Sequence, residues 1–226
     1  QRLAGVLPAY LGPEYSEEDD ARALQNVPGV RVIEEDAEAV AAELLAENYI
    51  VACSRGRSEM GPRSLGNRSI LMSPLKAENK DTLNLRVKHR ESFRPFAPAV
   101  MAEFTQEYFA IDRESPFMLL VPDVLEEKRS VIPAVTHVDG TGRLQTVSKH
   151  DNAPFYALIR AFYEKTGVPV LLNTSFNVAG EPIVETPADA VRCFLGTEID
   201  ALLLGSCIAV KETVWEKVAA YASAQA

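Results

Sequence analysis

Short apolar runs alternate with amphipathic segments between residues 36 and 212, and this alternation limits the possible folds more than any other feature of the chain. The first pair is a predicted helix over 36–48, with Asp36 as its cap, and a buried strand over 49–53. Strands that alternate with helices in this way are typical of an α/β sheet. We therefore predict one α/β domain over 36–212, with 213–226 as a short helical tail.

The second half of the chain repeats the alternation. Two β-prone runs, 134–138 and 143–147, flank a turn sequence and predict a β-hairpin. The segments that follow predict, in order, a helix that ends at Gly167, a strand over 168–172, a helix over 186–196 that starts with a capping box at Thr186, and a strand over 201–211.

Residues 1–35 lie outside the predicted domain. They are acidic, are interrupted by prolines and contain few apolar residues, which predicts a connector that packs poorly. No apolar run approaches the roughly 20 residues of a membrane helix, and no signal-peptide pattern is present, so we expect a cytoplasmic protein without membrane contact. The three cysteines and three histidines lack the spacing of metal ligands, which predicts free thiols and no metal site.

Positive charge is concentrated in one segment of an acidic chain. Residues 55–94 contain ten Lys or Arg and four Asp or Glu, whereas the whole chain has a formal net charge of −9. Nucleic-acid-binding proteins usually have a high isoelectric point, and here it is about 5.0. The pattern therefore predicts a small anionic ligand at one place, and makes a nucleic-acid partner a weaker hypothesis.

A glycine- and arginine-rich run over 56–69 follows the predicted strand directly. Its glycines allow tight turns whose N–H groups can approach an anion, and Arg57, Arg63 and Arg68 can bind phosphate with two nitrogens each. The alternative is a solvated loop whose arginines pair with acids elsewhere in the chain. The run matches no established phosphate-binding motif, so the residues alone leave both interpretations open.

Two further segments are candidates for ligand binding. Lys88 and Arg90 are two residues apart, so on an extended segment they would converge on one anion; the alternative is an exposed strand edge. A polar cluster over 173–177 follows a predicted strand, where open α/β sheets place ligands; the alternative is an ordinary turn.

Four runs of sequence resemble the C-terminal region of the O-carbamoyltransferases, which modify nodulation factors, aminoglycosides, cephems and ansamycins: GRSEMGPRSLGNRSIL, VKHRESFRPFAP, THVDGTGRLQTVS and GVPVLLNTSFNVAGEPIVETPADA. The resemblance extends from about Leu11 to Lys211. Met60 and Ser64 depart from it, because Phe and Ala are expected there.

The resemblance implies a YrdC-like fold, a twisted α/β sheet with a concave basic surface. It also implies that ATP, with Mg²⁺ on its phosphates, and carbamoyl phosphate are bound and converted into carbamoyl-adenylate. A separate N-terminal, metal-dependent transferase domain, absent from this sequence, would pass the carbamoyl group to a hydroxyl acceptor. Residues 1–35 would then be the linker from that domain.

The resemblance also assigns residues to roles. Its Lys-x-Arg and Ser-x-Asn signatures correspond to Lys88/Arg90 and Ser175/Asn177. We expect catalysis by charge neutralisation from Arg63, Lys88, Arg90 and Arg143. We expect nucleotide binding by Arg57, Arg68, Met118, Gln145, Ser175 and Asn177, with Phe117 beside Met118 as a wall for the base. Two alternatives stay open: a threonylcarbamoyl-adenylate synthase-like or RNA-binding domain, and a non-catalytic docking module.

Overall fold

Eight strands form one mixed sheet in the order β1-β8-β7-β2-β3-β6-β4-β5. The computed structural model describes residues 8–219. The strands are β1 (Val30–Ile33), β2 (Val51–Ser54), β3 (Arg68–Met72), β4 (Ala97–Met101), β5 (Gln145–Val147), β6 (Val170–Ser175), β7 (Ala201–Leu204) and β8 (Cys207–Lys211). The pairs β2/β7 and β4/β5 are parallel, and the other neighbouring pairs are antiparallel.

Helices cover both faces of the sheet. They are α1 (Glu17–Leu24), α2 (Ala37–Ala46), α3 (Glu78–Leu83), α4 (Thr105–Tyr108), α5 (Glu126–Arg129), α6 (Ala153–Thr166) and α7 (Pro187–Leu195), and a π-helical turn Asn84–Lys88 continues α3. Helices α2 and α6 enclose one apolar core with one face of the sheet. Helix α7 and the end of α1 close a second core on the opposite face. The fold class predicted from the alternation of strands and helices is confirmed.

Local capping signals predicted two helices well. Helix α6 begins after Asn152, whose side chain accepts from Phe155 N, and ends at Gly167 in the left-handed conformation. Helix α7 has the predicted capping box between Thr186 and Asp189. The cap predicted for α2 is different: Asp36 occupies the cap position, but with a φ of 53° its side chain makes no capping hydrogen bond.

The predicted hairpin is wrong. Part of its first run forms a 3-10 turn, Pro133–Val135, and β5 pairs in parallel with β4 instead. The Asp139 carboxylate accepts from the backbone and hydroxyl of Thr141, which closes a local turn. Leu144, in the second predicted run, forms an isolated antiparallel bridge with Leu120 and not with a residue of the first predicted run.

The predicted single strand over 201–211 is two strands, because the chain turns at Gly205, with a φ of 55°, between β7 and β8. The predicted strand over 168–172 is longer at its carboxyl end and includes residues 173–175. It continues through these polar residues because β3 pairs with all three of them and β4 pairs with Asn173 on the other side. The interpretation of 173–175 as a turn is therefore wrong.

The expectation that residues 1–35 pack poorly is wrong for the part that the structure describes. Strand β1 extends the sheet beside β8, and α1 has a capping box and a buried Leu24. Within the predicted tail, residues 215–219 are helical. Residues 1–7 and 220–226 lie outside the described residues. Between residues 8 and 219, no helix has both the length and the apolar character needed to cross a membrane.

Candidate functional site

A cavity of about 220 Å³ lies where β6 ends and where the chain enters β4 and β5. We call it the basic cavity, because four arginines line it: Arg63, Arg90, Arg94 and Arg143. Ser175 at the end of β6, Phe96 and Met118 contribute to its walls. The structure thus brings together five of the predicted site residues: Arg63, Arg90, Met118, Arg143 and Ser175.

Most of this positive charge is not neutralised by the protein. Among residues 8–219, no carboxylate oxygen lies within 4.0 Å of the guanidinium groups of Arg63, Arg90 or Arg143. Arg90 Nε donates to Asn84 Oδ1 at 2.7 Å, and its guanidinium carbon is 4.9 Å from the centre of the Phe96 ring. Burial, and then the neighbouring Arg63 and Arg90, lower the pKa of Arg143. An anion in the cavity would relieve this repulsion.

Lys88 lies behind the cavity wall. It ends the π-helical turn and is 4% exposed, so the predicted extended geometry for Lys88 and Arg90 is wrong. Its Nζ donates to the carbonyl oxygens of Ser175 and Asn177 and to Asn177 Oδ1, the last two at 2.9 Å. Burial, and then Arg90, lower the pKa of Lys88 to about 7. Lys88 therefore holds the 175–177 segment in place through neutral oxygens.

Ser175 and Asn177 differ in position. Ser175 lines the basic cavity, and its Oγ donates to Asn177 Oδ1 at 2.7 Å. Asn177 Nδ2 donates to the carbonyl oxygen of Glu181 at 2.8 Å. The Asn177 amide is therefore occupied at both ends by protein groups and stabilises the loop that carries Ser175.

Arg68 and Arg57 are not among the residues that line the basic cavity. Arg68 is 2% exposed, and its guanidinium donates to the carbonyl oxygens of Arg55, Gly56, Asn67 and Glu185. Its Nη2 is also 3.9 Å from a carboxylate oxygen of Glu185. Arg57 is exposed and donates to Leu11 O at 3.3 Å. Arg68 therefore fits neither interpretation of the run: it does not line the basic cavity, and it is a buried side chain bonded mainly to backbone carbonyls and not a solvated arginine paired with an acid.

Gln145 and Phe117 are also away from the cavity surface. Gln145 is buried between Leu65 and Asn173, with its amide bonded to both. Met118 lines the basic cavity with a φ of 56°, a conformation uncommon for residues other than glycine. Phe117 instead lines a separate cavity of about 370 Å³, beside Tyr10 and Asp151, and among residues 8–219 no lysine or arginine lines it.

Several other residues that line the basic cavity were given no role of their own in the sequence analysis; among them, Ser64, Arg94 and Asn173 have side chains that can bind a ligand. Arg94 lies in the same basic run as Lys88 and Arg90, and this was an available signal. Asn173 lies in the predicted polar cluster over 173–177, and Ser64 lies in the glycine- and arginine-rich run over 56–69, but nothing distinguished either residue within its segment. Three buried atoms of cavity residues have no hydrogen-bond partner among the described residues: Ser64 Oγ, Arg143 Nε and Asn173 Oδ1. Unpaired buried polar atoms concentrated at one cavity indicate a ligand site.

Within residues 8–219, no group of three or more His, Cys, Asp or Glu side chains is arranged to hold a metal ion. Cys53 and Cys193 are buried thiols, and Cys207 is half-buried. Burial raises the pKa of Cys53 to about 11, so this thiol is not poised as a nucleophile.

Solved structures similar to this chain share its fold. Full-length HypF in its phosphate- and nucleotide-bound form matches with a TM-score of 0.53 and 21% identity, over 80% of this chain and 23% of HypF. The Pyrococcus abyssi Sua5 structure with L-threonine matches with a TM-score of 0.53 and 16% identity, over 74% of this chain and 46% of Sua5. The predicted YrdC-like fold is confirmed.

Sequence comparison identifies closer relatives. The nodulation protein NolNO of Sinorhizobium fredii is 50% identical over 192 residues, which cover 82% of this chain and 28% of NolNO. The 3'-hydroxymethylcephem-O-carbamoyltransferase of Streptomyces clavuligerus is 40% identical over 167 residues, which cover 74% of this chain and 32% of the enzyme. The chain thus spans about a third of the length of these relatives. Because residues 42–211 match the family described as Carbamoyltransferase C-terminus, the chain belongs to this family.

Proposed function

We propose that this chain binds ATP and carbamoyl phosphate and forms carbamoyl-adenylate, which a separate N-terminal domain would transfer to a hydroxyl acceptor. The observation that carries the proposal is the basic cavity, where Arg63, Arg90 and Arg143 have no acidic partner within residues 8–219. Such a cluster is unfavourable without an anion, and both substrates are phosphate anions. Membership of the carbamoyltransferase family supports the choice of carbamoyl phosphate.

The proposed reaction has two steps. Water first cleaves carbamoyl phosphate into carbamate and inorganic phosphate. A carbamate oxygen then forms a bond to the α-phosphorus of ATP while the bond from that phosphorus to the bridging oxygen breaks, and pyrophosphate leaves. Negative charge accumulates on non-bridging oxygens in both steps, so fixed cations lower the barrier by positioning and charge stabilisation.

The size of the cavity limits what it can contain. Its volume of about 220 Å³ is below the roughly 300–1,000 Å³ typical of drug-sized ligand pockets. We therefore assign the carbamoyl phosphate and the reacting phosphates to the cavity, and the nucleoside to its mouth beside Met118. Mg²⁺ would enter with the triphosphate, held by phosphate oxygens. In this scheme Lys88 positions the wall and Arg143 contacts the anion.

The first experiment measures exchange of labelled pyrophosphate into ATP by the purified chain. We expect exchange that requires carbamoyl phosphate and Mg²⁺, and no carbamoylation of added sugars or alcohols. Arg143→Ala should lose at least about 90% of the exchange, because one arginine–phosphate interaction contributes roughly 1.5–3 kcal/mol. Arg113→Ala changes an exposed arginine outside the basic cavity and should retain it.

A folded chain that neither binds ATP nor catalyses exchange would contradict the proposal and favour a docking module. Exchange that depends on threonine and bicarbonate instead of carbamoyl phosphate would favour the threonylcarbamoyl-adenylate alternative. Carbamoylation of an acceptor by this chain alone would contradict the division of labour between two domains.

A further inference from the structure

Asn173 is a buried polar residue in the middle of the sheet. It lies in β6 between Leu71 of β3 and Ala97 of β4, and it is 1% exposed. Asparagine is disfavoured in strands, and burying an amide is unfavourable unless its hydrogen bonds are made. Asn173 also lines the basic cavity, so this unfavourable choice of residue coincides with the candidate site.

A chain of hydrogen bonds fixes the orientation of the Asn173 amide. Gln145 Nε2 donates to Leu65 O at 2.8 Å, and since a carbonyl only accepts, Gln145 must direct its oxygen the other way. Asn173 Nδ2 donates to that oxygen, Gln145 Oε1, at 2.8 Å. The same Nδ2 is 3.3 Å from Ser64 O, another acceptor. The network therefore leaves Asn173 Oδ1 as the free end of the amide.

Asn173 Oδ1 is an acceptor without a donor. It is enclosed by the protein and has no hydrogen-bond partner among the described residues. The side chains that dominate the basic cavity are arginines, which only donate. The cavity therefore combines many donors for an anion with an amide oxygen whose orientation is fixed, which matches a ligand that carries both anionic oxygens and an N–H group.

We infer that Asn173 selects the carbamoyl group by accepting a hydrogen bond from its NH₂. This inference rests on the proposed function. Carbamoyl phosphate and carbamate have oxygens that accept from arginine, and their nitrogen can donate to Asn173 Oδ1. Acetyl phosphate has nearly the same shape and charge, but a methyl group replaces the NH₂. Acetyl phosphate would leave Asn173 Oδ1 unpaired. Binding sites built around a hydrogen bond strongly reject a ligand that cannot make that bond.

The test compares three probes on the wild-type chain by calorimetry: carbamoyl phosphate, acetyl phosphate and inorganic phosphate. We expect carbamoyl phosphate to bind at least about tenfold more tightly than acetyl phosphate. In Asn173→Ala this ratio should fall to near one, mainly through weaker binding of carbamoyl phosphate. Asn79→Ala is the matched control, because Asn79 is also buried and its Nδ2 also donates to two oxygens, Asn48 Oδ1 and Ser73 O.

The outcomes separate this inference from the proposed function. Equal affinities for carbamoyl and acetyl phosphate in the wild type would overturn the role of Asn173 and leave the proposed function standing. A folded Asn173→Ala variant that keeps the wild-type ratio would also overturn it. If none of the three probes binds, both the inference and the proposed function fail. The wild-type ratio tests the inference even if the Asn173→Ala variant does not fold.

Discussion

Arg68 and Arg143 both direct nitrogens into the interior of the same domain, but their surroundings are opposite. Every nitrogen of Arg68 lies near an oxygen: Nε and Nη1 donate to four carbonyl groups, and Nη2 is 3.9 Å from Glu185. Arg143 Nε is buried without a partner among the described residues, and its pKa is lowered by burial and by Arg63 and Arg90.

The two arginines therefore have different roles: Arg68 stabilises the fold, whereas Arg143 is available to a ligand. Arg68 satisfies carbonyl groups of the 55–67 loop, so the loop has a defined shape before any ligand arrives. The basic cavity is the opposite case, because burial and neighbouring cations lower the pKa of Arg90 and Arg143. Arg94 pairs with Glu91 at 3.1 Å, but within residues 8–219 no carboxylate pairs with Arg63, Arg90 or Arg143. We therefore expect changes at Arg68 to alter stability and changes at Arg143 to alter binding.

The largest effect is expected for Arg68→Ala. The variant removes the Arg68 donors from the carbonyl groups of Arg55, Gly56 and Glu185 and one of two donors from that of Asn67, and it deletes a side chain that is 2% exposed. We expect the free energy of unfolding to fall by about 3 kcal/mol. Urea denaturation measures this change. Arg57→Ala is the control, because its guanidinium is exposed with one bond at 3.3 Å, and its effect should stay within about 0.5 kcal/mol. Equal losses in both variants would contradict the structural role of Arg68.

A smaller loss of stability is expected for Gly66→Ala. Gly66 has a φ of 118°, and a Cβ there would lie 2.3 Å from Phe155 Cδ1 of α6. Backbone strain and displacement of Phe155 together should cost about 2 kcal/mol. Gly61 has a φ of 123° and no atom within 4 Å of its added Cβ, so Gly61→Ala measures the strain alone. A larger loss in Gly61→Ala would show that the contact with α6 does not matter.

Sequence predicted the elements whose signals are local. The Asn152 and Thr186 caps and the Gly167 stop act within a few residues, and the helices that they bound were predicted correctly. The hairpin prediction failed because β5 pairs with β4, which is distant in sequence. Composition and turn residues do not specify which strand takes an edge.

The site was predictable only in part. Charge located the basic segment, and the family resemblance selected Arg63, Arg90 and Arg143, which the structure brings to one cavity. Nothing in the sequence distinguishes Arg68 from Arg63, because both lie in the same glycine-rich run. Their difference depends on which carbonyl groups face inward, and this is set by the packing of the whole loop.

Arg143→Ala, in contrast to Arg68→Ala, should weaken the binding of carbamoyl phosphate. We expect the affinity for carbamoyl phosphate to fall at least about tenfold, which is about 1.4 kcal/mol. The unfolding free energy without ligand should change by no more than about 0.5 kcal/mol, because the variant removes a cation that its neighbours repel. Calorimetry and urea denaturation measure the two quantities. Unchanged affinity combined with a large loss of stability would assign Arg143 to the scaffold.

The smallest effect concerns pH. Because the pKa of Lys88 is lowered to about 7, its ammonium is charged at pH 6 and largely neutral at pH 8. A positive charge behind the wall attracts an anion, so affinity should decrease as pH rises through 7, by less than about 1 kcal/mol at this position. Sulfate is the probe, since its charge is constant over this range. Lys88→Met should lose this dependence, and an identical pH profile in the variant would contradict the role of Lys88.

The contrast between the two arginines can be observed directly by NMR of the arginine Nε–H groups. Titration of the ¹⁵N-labelled chain with carbamoyl phosphate should shift the Arg143 Nε–H signal in a saturable manner, because this donor lacks a protein partner. The Arg68 Nε–H signal, which is bonded to Glu185 O, should stay in place. A stationary Arg143 signal at saturating carbamoyl phosphate, or a shift confined to Arg68, would contradict the assignment of the basic cavity as the ligand site.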